Sequence, residues 1–194
     1  MIMKKYVSTL LALALLMSLF AGCGGKQDPS PSQPAAPAVA NSLEVLQTIW
    51  GLYGEEELFS VFGGNVKENG DVTMDAPDNY DLADPNISFN LLIPADQVAN
   101  VDDVASMTHA MMANNFNSAV FHVKEDPKAF AETMYQAVSG NMWICGMPES
   151  TIIAIVGGDY VVMAYGVGQA MDSFEAHLAE AYPSAEILYN EPIV

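Results

Sequence analysis

The sequence predicts an α+β fold, because strand and helix patterns alternate along its C-terminal half. Residues 119–193 contain, in order, a strand, a helix, two strands, a helix and a strand. The two central strands, 151–156 and 160–165, flank Gly157-Gly158. This pair readily adopts the positive φ angles of a tight hairpin turn. Helical spacing of apolar residues separates the other strands, so residues 118–194 are expected to form a βαββαβ unit.

The first strand and helix of this unit are predicted from alternation followed by capping signals. Apolar residues recur at alternate positions from Ala119 to Val123, which is the period of a strand. Asp126-Pro127 then supplies an N-cap and a first-turn proline, and Gly140 marks the end of the helix. The buried face of this helix is expected to contain Phe130, Met134, Ala137 and Val138.

The last helix and strand are predicted from similar signals. Asp172 with Glu175 forms a capping pattern, and Pro183 follows the helix end. Residues 185–189 then provide the closing strand. The order βαββαβ resembles the ferredoxin-like split βαβ arrangement, a fold that hosts many unrelated functions.

Residues 41–117 are expected to form a helical layer with an acidic loop. Asn41 and Glu44 form a capping-box pattern before helix-spaced apolar residues that end near Gly54. The acidic loop lacks the alternating oxygen ligands and closing carboxylate of a calcium loop, so solvated aspartates are the expectation and calcium binding the alternative. The remaining elements are a second helix, the acidic loop, a strand and a third helix, at residues 55–62, 65–86, 87–93 and 100–114.

The central hairpin needs cover on both faces. Residues 152–156 are apolar at every position, whereas the two helices of a ferredoxin-like unit cover only one face of the sheet. We expect the N-terminal helices around Trp50 and Met107 to cover the other face. A homodimer or a partner protein is the alternative cover.

The N-terminus has the pattern of a secretory signal. Lys4 and Lys5 precede an apolar run over residues 7–20 that is short for a bilayer span. The sequence Leu19-Phe20-Ala21-Gly22-Cys23-Gly24 resembles the lipobox of bacterial lipoproteins, with Phe20 where that family usually has an aliphatic residue. The resemblance implies removal of residues 1–22 and acylation of Cys23. Two or three acyl chains would then hold the protein at the outer face of the cell membrane, since each buried methylene contributes about 0.8 kcal/mol.

A proline-rich linker follows the expected lipid attachment site. Residues 23–40 are rich in Pro, Gly, Ser and Ala and have no apolar periodicity, so they are expected to tether a single domain, 41–194. This layout of leader, linker and small acidic domain is similar to that of uncharacterised lipoproteins of Gram-positive anaerobes. That likeness implies no activity.

The charge of the chain bears on its partners. There are 24 acidic residues and only six basic ones, and the latter are all lysines. Loss of Lys4 and Lys5 with the leader changes the net charge from −18 to −20. A surface this negative repels phosphate backbones, so nucleic-acid binding is not expected. The expected partners are the membrane, through the lipid anchor only, and another extracytoplasmic protein or a second copy of the chain.

The segment from Asn141 to Glu149 carries the candidate functional residues. It links a helix to a strand, is longer than a minimal turn, and contains Trp143 and Cys145. Trp143, Cys145 and His122 are therefore candidates for a ligand or partner surface. A nucleophile hypothesis pairs Cys145 with His122 or His177 as its base, although no cysteine-hydrolase motif surrounds Cys145.

Other catalytic patterns are missing from the sequence. The three histidines have no HxH or HExxH spacing, and there is no glycine-rich phosphate loop and no GxSxG motif. We therefore predict neither a metal site nor a cofactor nor a catalytic set. His122 is expected to be buried beneath the N-terminal layer, and His177 to be solvated. The leading hypothesis is a non-catalytic binding or accessory module, and the alternative is a thiol-dependent or hydrolytic enzyme using Cys145 and His122.

Overall fold

The structure is a computed structural model that describes residues 39–67 and 69–194. The described residues contain four α-helices: α1 Ser42–Trp50, α2 Ile87–Asn90, α3 Pro127–Ser139 and α4 Gly168–Ala181. They also contain eight β-strands: β1 Val61–Gly63, β2 Thr73–Met74, β3 Asp78–Asn79, β4 Val101–His109, β5 Phe116–Val123, β6 Ser150–Val156, β7 Tyr160–Gly166 and β8 Glu186–Pro192. The α+β class predicted from the sequence is confirmed.

All eight strands belong to one antiparallel sheet. Its order is β2-β1-β4-β5-β7-β6-β8, and β3 pairs with β4 outside this path. The β6–β7 hairpin turns at Gly157-Gly158, where φ is +66° and +102°, and its register places Ile153 opposite Met163. The hairpin is therefore the predicted one, and it lies inside the sheet.

Both faces of the central strands are covered within the chain. On one face, α3 packs through Phe130 and Met134 against alternate residues of β5, β6 and β7. On the other, α1 and α4 pack together, the latter through Phe174 and Leu178. The apolar residues of β6 that face both ways are thus buried without a second protein. The expectation that Trp50's helix contributes to this cover is met, but Met107 contributes from a strand.

The sheet order does not confirm a ferredoxin-like unit. In a ferredoxin-like unit the last strand pairs with the first. The first strand of this unit is β5, and the edge of β5 that would receive the last strand pairs with β4. The last strand, β8, pairs with β6 instead. The crossover from β7 to β8 consequently runs in the same direction across the sheet as the crossover from β5 to β6. Because the two starting strands are antiparallel and such crossovers are right-handed, α3 and α4 lie on opposite faces.

The helix predicted over residues 100–114 is wrong, since Val101–His109 forms β4. Val101 and Val104 contact the α3 face, whereas Ala105 and Met107 contact the α1 face. A strand buried on both faces shows no apolar–polar alternation, and the register shift between Val101 and Asp103 disturbs the period further. Pairing on both edges of β4 therefore overrides the helix-like spacing.

Two further N-terminal predictions are wrong. Residues 55–62 form a turn that leads into β1, because the carboxylate of Glu57 folds back to accept a hydrogen bond from the Gly54 amide at 3.0 Å. The strand predicted over 87–93 begins instead with the single-turn helix α2, closed by the Leu91 amide donating to the Ile87 carbonyl at 2.9 Å. The helical layer expected over 41–117 thus consists largely of strands and turns.

The helix caps show where local sequence signals were sufficient to predict the start of a helix. Asn41 Oδ1 accepts from the Glu44 amide at 2.8 Å, and Asp126 caps α3 by accepting from the Ala129 amide at 3.1 Å, both as predicted. The fourth helix begins at Gly168, four residues before the predicted cap, because Glu149 Oε2 accepts from the Gly168 amide at 2.9 Å. That capping carboxylate comes from a separate loop.

The first residue that the structure describes packs against the domain. Val39 is partly buried against the α1 core, so the packed chain includes this residue. No helix in the described ranges has the length and apolar content to cross a bilayer. The predicted leader, Cys23 and most of the linker lie outside the described residues.

Candidate ligand-binding site

A cavity of about 510 Å³ opens on the α3 side of the sheet, at the end of β5 and β7. Three segments form its walls: residues 62–66 at the end of β1, residues 89–92 around the end of α2, and residues 141–144 after α3. Asn117 of β5, Thr108 of β4 and Tyr165 of β7 line it from the sheet. This volume lies in the range of small-molecule sites.

The lining of the cavity is neutral. None of the described residues that line it carries a charge, although the chain has 24 acidic residues. The polar lining residues are mainly asparagines. Five lining residues are aromatic: Phe62, Tyr80, Phe89, Trp143 and Tyr165. Such a lining combines an apolar body with a few hydrogen-bonding groups, which is the composition of ligand sites.

Asn117 is the most buried of these amides, with only 2% of the residue exposed. Its Nδ2 donates to Thr108 Oγ1 at 3.1 Å and to the Asn90 carbonyl oxygen at 3.4 Å. The Asn90 carbonyl can only accept, which fixes the orientation of the Asn117 amide. Its Oδ1 is buried and has no partner among the described residues. An unmatched buried acceptor is costly and calls for an explanation.

Trp143 supplies an unmatched donor. Its Nε1 is buried and has no partner in the described part of the chain. The indole ring lies against Tyr165, with ring centroids 4.9 Å apart. Burial raises the pKa of Tyr165, so this phenol stays neutral at physiological pH. Two residues of the cavity lining thus each hold a buried polar atom without a partner among the described residues, one of them a donor and the other an acceptor.

Tyr80 fixes the α2 wall. Its hydroxyl donates to Asp84 Oδ2 at 2.9 Å and accepts from Asn90 Nδ2 at 2.7 Å. Burial, with the nearby Asp84 charge, raises the pKa of Tyr80 to about 12. The proton therefore stays on the phenol, and the bond to Asp84 persists over the physiological range. This network holds Asn90, whose carbonyl in turn orients Asn117.

Asn114 fixes the opposite wall. Its Nδ2 donates to the carbonyl oxygens of Ile144 and Gly146 at 2.9 and 2.6 Å. Between these carbonyls, Cys145 has a left-handed φ of +66°, and Gly146 has a φ of +120°. The two hydrogen bonds hold the turn that places Trp143 over the cavity.

The mouth of the cavity is apolar and exposed. Val66, Phe89, Met142 and Ile144 line it with 65%, 83%, 88% and 78% of their surface accessible. Exposed apolar residues are ordinary when scattered, but a group of them around a pocket marks a binding surface. Unbranched methionine side chains can also adapt to different occupants.

The sequence-predicted site residues are not all brought together. Trp143 lines the cavity, and Cys145 is an exposed free thiol in the loop beside it. His122 is paired with Tyr160 at the other end of β5 and β7, whereas Trp143 contacts Tyr165. Five residues of strand separate these levels, which is about 17 Å. His122 and Cys145 therefore form no catalytic pair in the structure.

His122 lies instead in a surface ion cluster. Its Nδ1 is 2.5 Å from Asp102 Oδ1 and its Nε2 is 3.3 Å from Asp159 Oδ2. The hydrogen bond that His122 Nδ1 donates to the Asp102 carboxylate raises the pKa of His122, and burial partly opposes this. The prediction that His122 is buried under the N-terminal layer is wrong, because its side chain is 28% exposed at the strand end.

His177 also differs from expectation. Only 12% of its side chain is exposed, since Nε2 lies 3.1 Å from Glu57 Oε2 and the ring packs on Tyr53 at 4.6 Å. Glu57 also accepts from Ser173 Oγ at 2.8 Å. Hydrogen bonds from the Gly54 amide, Ser173 and His177 lower the pKa of Glu57. Because Ser173 and His177 both bind the carboxylate, this arrangement links α4 to the loop before β1.

Among the described residues, no group of three or more His, Cys, Asp or Glu side chains could hold a metal ion. Comparison with protein-family models, with curated proteins and with solved structures found no match for this chain in any of the three.

Sequence reasoning found Trp143 but missed the polar wall of the cavity. Tyr80 and Asn90 fall in segments interpreted as a loop and a strand. Asn117 carried a usable signal, because asparagine is depleted in strands and this one lies near the start of the strand Phe116–Val123. Its position beside Trp143 could not be known without the strand order.

Proposed function

We propose that this chain is a non-catalytic extracytoplasmic binding module, and that the cavity beside Trp143 receives a neutral, mainly apolar ligand. The module is anchored to the outer face of the cell membrane through Cys23. Its domain captures a molecule or a chemical group near that surface. The ligand enters through the exposed, apolar mouth of the cavity.

One observation carries this proposal: two residues that line the cavity hold a buried donor and a buried acceptor that are unmatched. Trp143 Nε1 and Asn117 Oδ1 each lack a partner among the described residues. Leaving such groups unsatisfied costs about 1–3 kcal/mol each. A ligand that supplies both partners recovers this free energy, which favours binding over a purely structural role for the cavity.

The anchor rests on the lipobox-like sequence ending at Cys23. Its test is mass spectrometry of the native protein, in which an acylated N-terminal Cys23 is expected. A Cys23→Ser variant should be released from membranes. An unmodified Cys23 on a retained leader would contradict the anchor without affecting the cavity.

The alternative function, an enzyme using Cys145 and His122, gains no support from the geometry. The thiol is exposed beside the cavity, whereas His122 is engaged by Asp102 and Asp159 at the far end of the strands. A thiol without an adjacent base lacks the activation that nucleophilic catalysis requires.

The binding function is tested with Nile red, an uncharged apolar dye, and the purified full-length chain. Saturable dye fluorescence is expected. Ala113→Phe, which adds bulk at the cavity wall, should weaken the dye's affinity, whereas Ala95→Phe, at an exposed position outside the lining, should not. Dye binding that never saturates, or that is equal in the two variants, would contradict the proposal.

A further inference from the structure

We infer that the ligand carries an amide group on an apolar body. This deepens the proposed function and rests on it. The residues that line the cavity include an indole N–H at Trp143 and a side-chain carbonyl oxygen at Asn117, both buried and without a partner among the described residues. An amide supplies the complementary pair, because its C=O accepts and its N–H donates.

The positions of the two groups favour an amide over a single polar atom. Asn117 belongs to β5 in the sheet, whereas Trp143 belongs to the loop after α3. The two groups therefore approach the cavity from different elements. An amide separates its donor and acceptor on two atoms, so that each can face a different wall, while a hydroxyl must use one oxygen for both.

The electrostatics of the lining exclude charged ligands. The described residues of the cavity wall include no ion that could pair with a buried charge. Transferring an unpaired carboxylate or ammonium into such surroundings is strongly unfavourable. The net charge of the chain, −18, further disfavours anions. A neutral amide satisfies both conditions.

The apolar mouth of the cavity indicates which chemical groups the rest of the ligand carries. Phe89, Met142 and Ile144 extend the apolar surface from the cavity to the outside, and all three are largely exposed. A ligand with apolar groups on both sides of its amide would cover this surface as well as fill the cavity. A capped apolar peptide and a small fatty or aromatic amide share this chemistry.

The test is calorimetric titration of the full-length chain with matched probes. The amide is N-methyl-3-phenylpropanamide, and its ester analogue, methyl 3-phenylpropanoate, lacks the donor. Butylbenzene lacks both polar groups, 4-phenylbutan-1-ol carries a hydroxyl, and 3-phenylpropanoate carries a charge. We expect the amide to bind about tenfold more tightly than the ester, because the ester leaves Asn117 Oδ1 unmatched. The anion should bind most weakly.

Two variants assign the effect to the two groups. Trp143→Phe keeps an aromatic ring but removes the N–H, so the preference of the site for the ester over butylbenzene should fall. Asn117→Ala should abolish the preference for the amide over the ester. Trp50→Phe is the matched control, because its indole N–H already donates to the Asp75 carbonyl at 3.2 Å, and it should preserve both preferences.

The outcomes separate this inference from the proposed function. If Nile red saturates the cavity but the ester, the alcohol or butylbenzene binds as tightly as the amide, the amide class is overturned and the binding function stands. If neither dye nor probe binds, the binding function fails. Preferential binding of either the small amide or a capped peptide such as acetyl-Leu-Phe-Leu-amide supports the amide class, and the tighter of the two identifies the source.

Discussion

Asn114 donates from Nδ2 to the carbonyl oxygen of Gly146 at 2.6 Å, across 32 positions of sequence. The same nitrogen donates to the Ile144 carbonyl at 2.9 Å. One amide thereby fixes both sides of Cys145, and with them the loop that carries Trp143. The position of this wall of the cavity therefore depends on a side chain from outside the loop.

The Asn114→Ala substitution should loosen the loop while leaving the fold intact. Two partly exposed hydrogen bonds are lost, so the free energy of unfolding should fall by about 1–2 kcal/mol. Nile red affinity should fall as well, because Trp143 no longer has a fixed position. Hydrogen exchange of residues 141–147, followed with chemical denaturation, measures both effects.

The control for this prediction is Asn115→Ala. Asn115 contacts the Val167 amide through its backbone carbonyl, at 3.0 Å, and this contact survives loss of the side chain. Equal exchange of the loop in both variants would show that the Asn114 side chain does not hold it.

The His122 cluster predicts a pH-dependent stability. Asp102 raises the pKa of folded His122 above its ordinary value of 6.5, so the folded state holds this proton more tightly than the unfolded state. The stabilisation is complete below the unfolded value and is lost as the pH rises through the raised folded value. Since the side chain is partly solvated, the loss should be less than about 1 kcal/mol.

Urea unfolding of the wild-type chain and a His122→Asn variant, from pH 5.5 to 9, measures this contribution. The difference in unfolding free energy between the two proteins should shrink as the pH rises. A difference that grows with pH would have the wrong sign, and the ion cluster would then not stabilise the fold.

Gly166 is predicted to resist substitution because of the space around it. A Cβ at this position would lie 2.4 Å from the Asn115 carbonyl oxygen and 3.0 Å from Phe116 Cα, both backbone atoms. Gly166→Ala should therefore displace the 3-10 turn Ala113–Asn115, which carries Asn114, destabilise the fold by about 2 kcal/mol or more, and weaken dye binding.

Gly158→Ala provides the comparison. This glycine has a φ of +102°, and no atom lies within 4 Å of the place that a Cβ would occupy, so its substitution strains only the hairpin turn. The cost should be about 1–2 kcal/mol, with normal dye binding. Thermal unfolding of both variants distinguishes close packing from backbone conformation. If Gly166→Ala retains wild-type dye affinity, the link between this contact and the cavity is wrong.

Cys145 is predicted to be accessible but dispensable. The free thiol is exposed, so maleimide should label it to completion in the native protein. Cys145→Ala should retain Nile red affinity, because Cys145 does not line the cavity. Full protection of the thiol would contradict the structure of the loop, and loss of a cellular phenotype in Cys145→Ala would revive the enzyme hypothesis.

The sequence was informative where structure is set by neighbouring residues. The caps at Asn41 and Asp126 and the Gly157-Gly158 turn depend on contacts within a few positions, and they are confirmed. The α+β class followed from these elements. In contrast, the start of α4 was missed, because its cap is the distant Glu149.

Pairing with neighbouring strands determined the secondary structure of the longest element that was predicted wrongly. Val101–His109 is a strand because β1, β3 and β5 pair with it, and nothing in its own spacing distinguishes this from a helix. The same strand occupies the edge of β5 that a ferredoxin-like unit would leave for its last strand. Strand order is a property of the assembled sheet, so the βαββαβ pattern alone could not determine it.

The candidate site was predictable only in part for the same reason. Trp143 stood out in its loop, but Asn117 and Tyr80 become site residues only through the packing of β5 and α2 around the cavity. His122 was paired with Cys145 only because a histidine can act as the base for a thiol. The register of β5 on β7 places it at the opposite end of the strands.

The most direct test of the binding site is the nitrogen–proton NMR spectrum of the two tryptophan indoles. Among the described residues Trp143 Nε1 has no partner, whereas Trp50 Nε1 donates to Asp75, so the second signal is an internal control. On titration with N-methyl-3-phenylpropanamide, the Trp143 signal should move downfield and saturate while the Trp50 signal stays fixed. A Trp143 signal that does not move, or that moves together with Trp50, would contradict the account.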